Sequence, residues 1–274
     1  MNGSMSMNRG PRMRKQVRSI IPSLFTIMNL FSGFVAIKTA MIDNNFVAAG
    51  WFVVLGGIFD MLDGMMARLT KSSSEFGVEL DSLADVVTFG VAPSAIVYKL
   101  FFYQFPGPGL LLAAFPVICG AVRLARFNVQ LVGFDKDYFR GLPIPSSAIL
   151  IISYVIYHHL ALPPPERLSD PWMFVVVIGA SLMNVSTVKY DTVPKPSKRQ
   201  VLAHPFKFGI YTAGIILVLV TRGSAIFPLF VLFVLFGIVR STYERLNRFF
   251  RERHAAALLD EDTLEREEHS TFGI

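Results

Sequence analysis

The chain has 274 residues, of which 53% are hydrophobic and only 17% charged, and its mean hydropathy is +0.50. Soluble domains carry about a quarter charged residues, so this composition excludes an ordinary soluble globule and predicts a polytopic membrane protein. The net charge of +6 is not a nucleic-acid footprint, because the basic residues gather at the ends of apolar stretches, and the single cysteine, Cys119, excludes an intrachain disulfide.

Residues 1–20 form a basic N-tail that can lie along anionic headgroups as an interfacial helix or serve only as a topology signal. The apolar stretch behind it is long and lacks a small-residue cleavage pattern, so it reads as a retained span. A hydrocarbon core about 30 Å thick needs about 20 apolar residues per helix. Eight stretches approach that length: 21–42, 46–68, 82–103, 110–127, 144–162, 171–188, 206–221 and 225–240. Turn residues separate several of them, as in Asp43-Asn44-Asn45, Pro106-Gly107-Pro108-Gly109 and Pro163-Pro164-Pro165. The expected fold is therefore an all-α transmembrane bundle of about eight spans over 21–240, followed by a polar C-tail at 241–274 that is basic first and acidic later.

All but Arg167, Arg222, Lys38 and Lys99 of the 26 basic residues fall in alternate connections and the two tails. Positive charge is retained on the cytoplasmic side, so both termini are expected there, as an even number of spans requires. Lys38 and Lys99 lie inside spans near the other side, where their ammonium groups can snorkel.

The segment FDMLDGMMARLTKSSSEFGVELDSLAD, residues 59–85, places four carboxylates in an apolar setting. Ionisable residues within a membrane are costly and mark functional sites. Asp60 and Asp63 are three apart near the cytoplasmic end of the second span, on a face shared with Gly64 and Ala67. Asp81 and Asp85 are four apart at the start of the third, with Gly77 one turn earlier. A short polar turn at 70–76 would fold the two spans into a hairpin and bring the acidic pairs face to face. Such a group of like charges needs a cation, and carboxylates suit hard divalent ions such as Mg2+ or Mn2+. The small residues leave room for a bulky ligand, or else allow close helix packing. On the first span, Pro22, Thr26, Asn29 and Gly33 share one face.

The run Asp60, Asp63, Gly64, Ala67, Arg68, Gly77, Asp81, Asp85 resembles, at every fixed position and spacing, the signature of the CDP-alcohol phosphotransferase family. The resemblance implies an integral membrane enzyme that moves a phosphatidyl-type group from a CDP-activated lipid to an alcohol and releases CMP. It implies two divalent ions held by Asp60, Asp63, Asp81 and Asp85; paired ions of this kind clamp the attacking and leaving oxygens. It implies that Asp85 is the general base for the acceptor hydroxyl or else a metal ligand alone. Asp60, Asp63, Gly64, Ala67, Arg68, Gly77 and Asp81 would line the CDP-lipid site, with Thr26 and Asn29 on its first-span side. Thr26 and Asn29 can instead make interhelical hydrogen bonds. A homodimer is also implied.

Later segments narrow the acceptor. CGAVRLARFNV, FRGLPIPSSA and SLMNVSTVKY resemble the membrane-integral phosphatidylserine synthases of bacteria and archaea, which implies CDP-diacylglycerol and L-serine as substrates and a prokaryotic cytoplasmic membrane as location. Chemistry agrees: Arg123 and Arg126 are three apart at the cytoplasmic end of the fourth span, guanidinium binds carboxylate bidentately, and Asn128 can add a hydrogen bond. Each arginine can equally be a topology anchor. Gly141 to Ser147 can form a rigid entry to the fifth span, and Lys189 and Tyr190 are candidates for the edge of the site. Glycerol 3-phosphate or choline is the alternative acceptor, and a cation transporter the alternative of another class. His158, His159 and His204 have no metal-ligand partners at useful spacing and are expected at the membrane interface.

Overall fold

The computed structural model describes residues 10–70, 74–131, 141–161, 170–186 and most of 217–243. Among them every regular element is helical. α1 spans Gly10–Met41 and α2 Phe46–Thr70. Asn44 turns the chain between them at φ 51°, in the left-handed region that asparagine tolerates. Asn45 Oδ1 then accepts from Ala48 N at 3.0 Å and caps α2. Ala36, Ala40, Ala49 and Val53 are fully buried, small side chains that let the two long helices approach closely.

α3 covers Glu75–Asp85, a π-helical turn covers Val86–Val91, and α4 covers Ala92–Leu100. Together they make one 26-residue apolar span, Glu75–Leu100. The expected start at residue 82 is therefore late by two helical turns: Ser74 Oγ accepts from Gly77 N at 3.0 Å and nucleates the helix upstream of the apolar run. α5 is Pro108–Leu131, α6 is Ile144–Ala161 and α7 is Trp172–Val185. A further short apolar helix runs Ile226–Gly237.

Four helical segments are long and apolar enough to cross a membrane: Ser23–Met41, Phe46–Leu69, Glu75–Leu100 and Pro108–Val129. α6 and α7 are shorter, and α6 is buried on every side from Leu150 to Ile156, as an all-round apolar helix must be in the middle of a bundle. Large apolar side chains such as Phe31, Phe34, Leu55, Leu111 and Ile118 face outward, the arrangement a lipid solvent favours. The α1 helix already begins at Gly10, so the basic segment from there on continues into the first span. Most of the expected span 206–221, the loop bearing Lys189 and Tyr190, His204, and nearly all of the C-tail lie outside the described residues.

His158 stands in the last turn of α6 and is fully buried within the protein, its Nε2 3.4 Å from Asp170 Oδ2. His159 is half-buried and packs against the Phe46 ring at 5.9 Å.

Candidate active site

α2, α3 and α5 come together at one end of the bundle against the middle of α1. The C-terminal half of α2 carries Asp60 and Asp63, and α3 carries Asp81 in its second turn and Asp85 as its last residue. Asp60, Asp63 and Asp81 each offer a carboxylate oxygen, and these atoms lie within 4.8 Å of one another. Asp63 and Asp85 are buried, while Asp60 and Asp81 are half-buried. Asp85 lies deeper, within electrostatic reach of the other three. One oxygen of Asp81 is buried with no hydrogen-bond partner. A buried carboxylate oxygen left in this state is costly, and a hard divalent ion is the partner whose chemistry fits an all-oxygen donor set.

α1 supplies the wall of the site. Thr26 Oγ1 donates to Asp63 Oδ2 at 3.0 Å, and Asn29 Nδ2 donates to Asp85 Oδ1 at 3.2 Å. The shared face of Thr26 and Asn29 thus turns toward the carboxylates. α5 supplies the cationic side. Arg123 is half-buried, its Nε is buried with no hydrogen-bond partner, and its charge acts on Asp85. Arg126 is exposed, so the two arginines do not have the same surroundings. Asn128 Nδ2 donates to Ser82 Oγ at 3.0 Å, tying the end of α5 to α3 beside Asp81.

The small residues divide into two kinds. A Cβ placed on Gly64 would meet only Arg68 Nη1, at 3.6 Å, which leaves open space beside Asp63. A Cβ on Gly77 would press on Ser74 Oγ at 3.1 Å, so Gly77 serves the N-cap of α3 as well as any ligand. Ala67 is half-buried and Arg68 exposed at the mouth. The segment Gly141–Ser147 docks on the end of α7: Gly141 has φ 84° and Leu142 N donates to Met183 O at 3.0 Å. A Cβ at Gly141 would meet Asn184 O at 2.5 Å, so glycine is needed there for both conformation and space.

Thr88 was not legible as a site residue. It stands in the π turn directly after Asp85, is fully buried, and donates through Oγ1 to Asn29 O at 2.9 Å. Its place three residues beyond Asp85 was the available signal, but an α-helical reading attaches no special meaning to a threonine there.

Residues 19–185 match the family model for CDP-alcohol phosphatidyltransferase. The chain is 36% identical over 241 residues to the CDP-diacylglycerol–serine O-phosphatidyltransferase of Helicobacter pylori (strain ATCC 700392 / 26695), covering 86% of this chain and 97% of that one. It is 36% identical over 176 residues to the enzyme of the same name from Bacillus subtilis (strain 168), covering 64% and 92%. It is 36% identical over 183 residues to the archaetidylserine synthase of Methanothermobacter thermautotrophicus, covering 65% and 73%. Among solved structures, the Mycobacterium tuberculosis phosphatidylinositol phosphate synthase with CDP-DAG bound aligns over 64% of this chain and 88% of that chain at 18% identity, with a TM-score of 0.48. With all eight signature positions inside the matched segment, the chain belongs to the CDP-alcohol phosphatidyltransferase family.

Proposed function

We propose that this protein transfers the phosphatidyl group of CDP-diacylglycerol to the hydroxyl of L-serine, giving phosphatidylserine and CMP. The convergence of Asp60, Asp63 and Asp81, with Asp85 behind them and Arg123 beside Asp85, carries this reading. Support for serine comes from relatives named for serine transfer along 97% of their length.

In this reading Asp60, Asp63, Asp81 and Asp85 hold divalent Mg2+ or Mn2+, two ions in all. When bound, the ions neutralise the diphosphate and stabilise the charge that builds on the attacking and leaving oxygens. Gly64, Ala67, Arg68 and Gly77 line the CDP-lipid site with the carboxylates, and Thr26 stands on its α1 side, while Asn29 takes the other role open to it, an interhelical hydrogen bond, to Asp85. Arg123 grips the serine carboxylate, and Arg126 and Asn128 flank it. Asp85 takes the proton of the serine hydroxyl as its oxygen bonds to the phosphatidyl phosphorus. The bond from that phosphorus to the bridging oxygen breaks, and CMP leaves with the oxygen.

The wider organisation follows the same reading: a basic tail at 1–20, an eight-span catalytic unit at 21–240 and a polar tail at 241–274. Arg68, Arg123 and Arg126 stand at the acidic end and Lys38 and Lys99 near the other. Positive charge is kept inside, so the site faces the cytoplasm, in a prokaryotic membrane, and both termini lie on that side. The assembly is a homodimer.

Purified protein supplied with CDP-diacylglycerol and serine should form phosphatidylserine and CMP, stop on chelation, and resume on addition of Mn2+ or Mg2+. Lipid product from glycerol 3-phosphate or choline, with none from serine, would reverse the acceptor assignment.

A further inference from the structure

The π turn at Val86–Val91 starts directly after Asp85, and it is anchored from two sides. Thr88 Oγ1 donates to the main-chain oxygen of Asn29 at 2.9 Å, and the Asn29 side chain donates back to Asp85 Oδ1 at 3.2 Å. Both Thr88 and Asn29 are fully buried. The Asn29 NH2 faces Asp85, the arrangement that an ionised carboxylate accepts. Two glycines make the fit possible. A Cβ on Gly33 would come within 2.5 Å of Thr88 Oγ1 and 2.8 Å of its Cα. A Cβ on Gly56 would come within 2.5 Å of Thr88 Cγ2 and 3.0 Å of Asn29 Oδ1. Thr88 is thereby seated between α1 and α2, and the loop of contacts closes on Asp85.

We propose that Asn29 and Thr88 are positioning residues that aim Asp85, with Gly33 and Gly56 as the seat of Thr88, and that they act on turnover rather than on binding of CDP-lipid or metal. The inference rests on the reading of Asp85 as the base that takes the acceptor proton. A base must sit within hydrogen-bond reach of that proton, and a displacement of about 1 Å can cost about 100-fold in rate. Asn29 is one contact from the carboxylate and Thr88 two, so the larger effect belongs to Asn29.

The test measures CMP release by purified full-length Asn29→Ala, Thr88→Val, Thr88→Ser and Asp85→Asn protein, with Mn2+ binding followed by electron paramagnetic resonance in the absence of substrates. Asn29→Ala should lower kcat about 10–100-fold with the KM for CDP-diacylglycerol within about two-fold. Thr88→Val should lower kcat by less, and Thr88→Ser, which keeps the hydroxyl, should restore it. Mn2+ binding should persist in all three, because Asp60, Asp63 and Asp81 still bring their carboxylate oxygens together without Asp85. A raised KM for CDP-diacylglycerol at unchanged kcat in Asn29→Ala would make Asn29 a nucleotide contact and overturn the proposal. Lost Mn2+ binding in Asn29→Ala would overturn it by placing the effect at the metal, and a Thr88→Ser protein as slow as Thr88→Val would overturn the part given to the hydroxyl. Should Asn29→Ala not fold, the valine–serine pair at Thr88 decides alone. Unchanged kcat in Asn29→Ala beside an inactive Asp85→Asn sinks this proposal only. Full turnover by Asp85→Asn sinks the base reading beneath it.

Discussion

The two ends of the bundle both bury a carboxylate, and they treat it in opposite ways. At one end Asp170 accepts from the Tyr154 hydroxyl and from Trp172 N at 3.0 Å, with His158 Nε2 3.4 Å away. Around it lie interlocked rings, with Phe174 edge-on to Phe101 and Phe102 at 5.2 Å. At the other end an Asp81 oxygen, the Asn29 amide oxygen and Arg123 Nε are all buried with no hydrogen-bond partner. Buried polar groups are normally satisfied. A carboxylate supplied with donors by its own fold holds the fold together. Carboxylates crowded together, with an Asp81 oxygen still open, are not satisfied by the fold in the same way.

This contrast can be broken by experiment. The largest effect is expected at the open end: Asp85→Asn should reduce turnover by about 100–10,000-fold, the range of general-base catalysis, while its melting temperature stays near that of the parent. A parallel loss of thermal stability would mean that Asp85 is structural like Asp170. The reverse pattern is expected for Asp170→Asn. Leaving a buried group unsatisfied costs about 1–3 kcal/mol, so the protein should melt earlier while kcat per folded molecule at 25 °C stays within about two-fold. A selective loss of kcat there would erase the distinction between the ends. A smaller effect sharpens the acceptor side. Arg123→Lys removes a bidentate donor and should raise the KM for serine about tenfold, while Arg126→Lys, at an exposed position, should raise it less. Equal effects would mean that the difference in burial has no bearing on serine.

Much of the acidic end was legible because aspartates are rare in apolar sequence and their spacing is regular. Asp60 with Asp63, and Asp81 with Asp85, follow helical periodicity, so the approach of the two acidic pairs across a short turn was readable from the chain. The number and apolar character of the first four spans were equally plain, though not where the third begins. Other features were not. Arg123 and Arg126 are identical in type and three apart, yet one is half-buried within electrostatic reach of Asp85 and the other is exposed. His158 looked like one of two adjacent polar residues near a span end, and only the neighbouring Asp170 and the central position of α6 bury it. The start of α3 was misplaced because hydropathy marks where a helix becomes apolar, whereas the Ser74 cap marks where it begins.

The amino-acid sequence by itself determined the helical class, the four longest apolar segments and the identity of the acidic motif, since each depends on local composition or on spacing along one helix or one turn. Which polar side chains face the carboxylates was decided only in three dimensions. Thr26 reaches across 37 residues to Asp63, Asn29 across 56 to Asp85, and Thr88 across 59 to Asn29. Such contacts depend on how far each helix is rotated against its neighbours and on a π turn that shifts the register after Asp85. That rotation is set by packing small residues such as Gly33 and Gly56 against the turn, which no periodicity along the chain encodes.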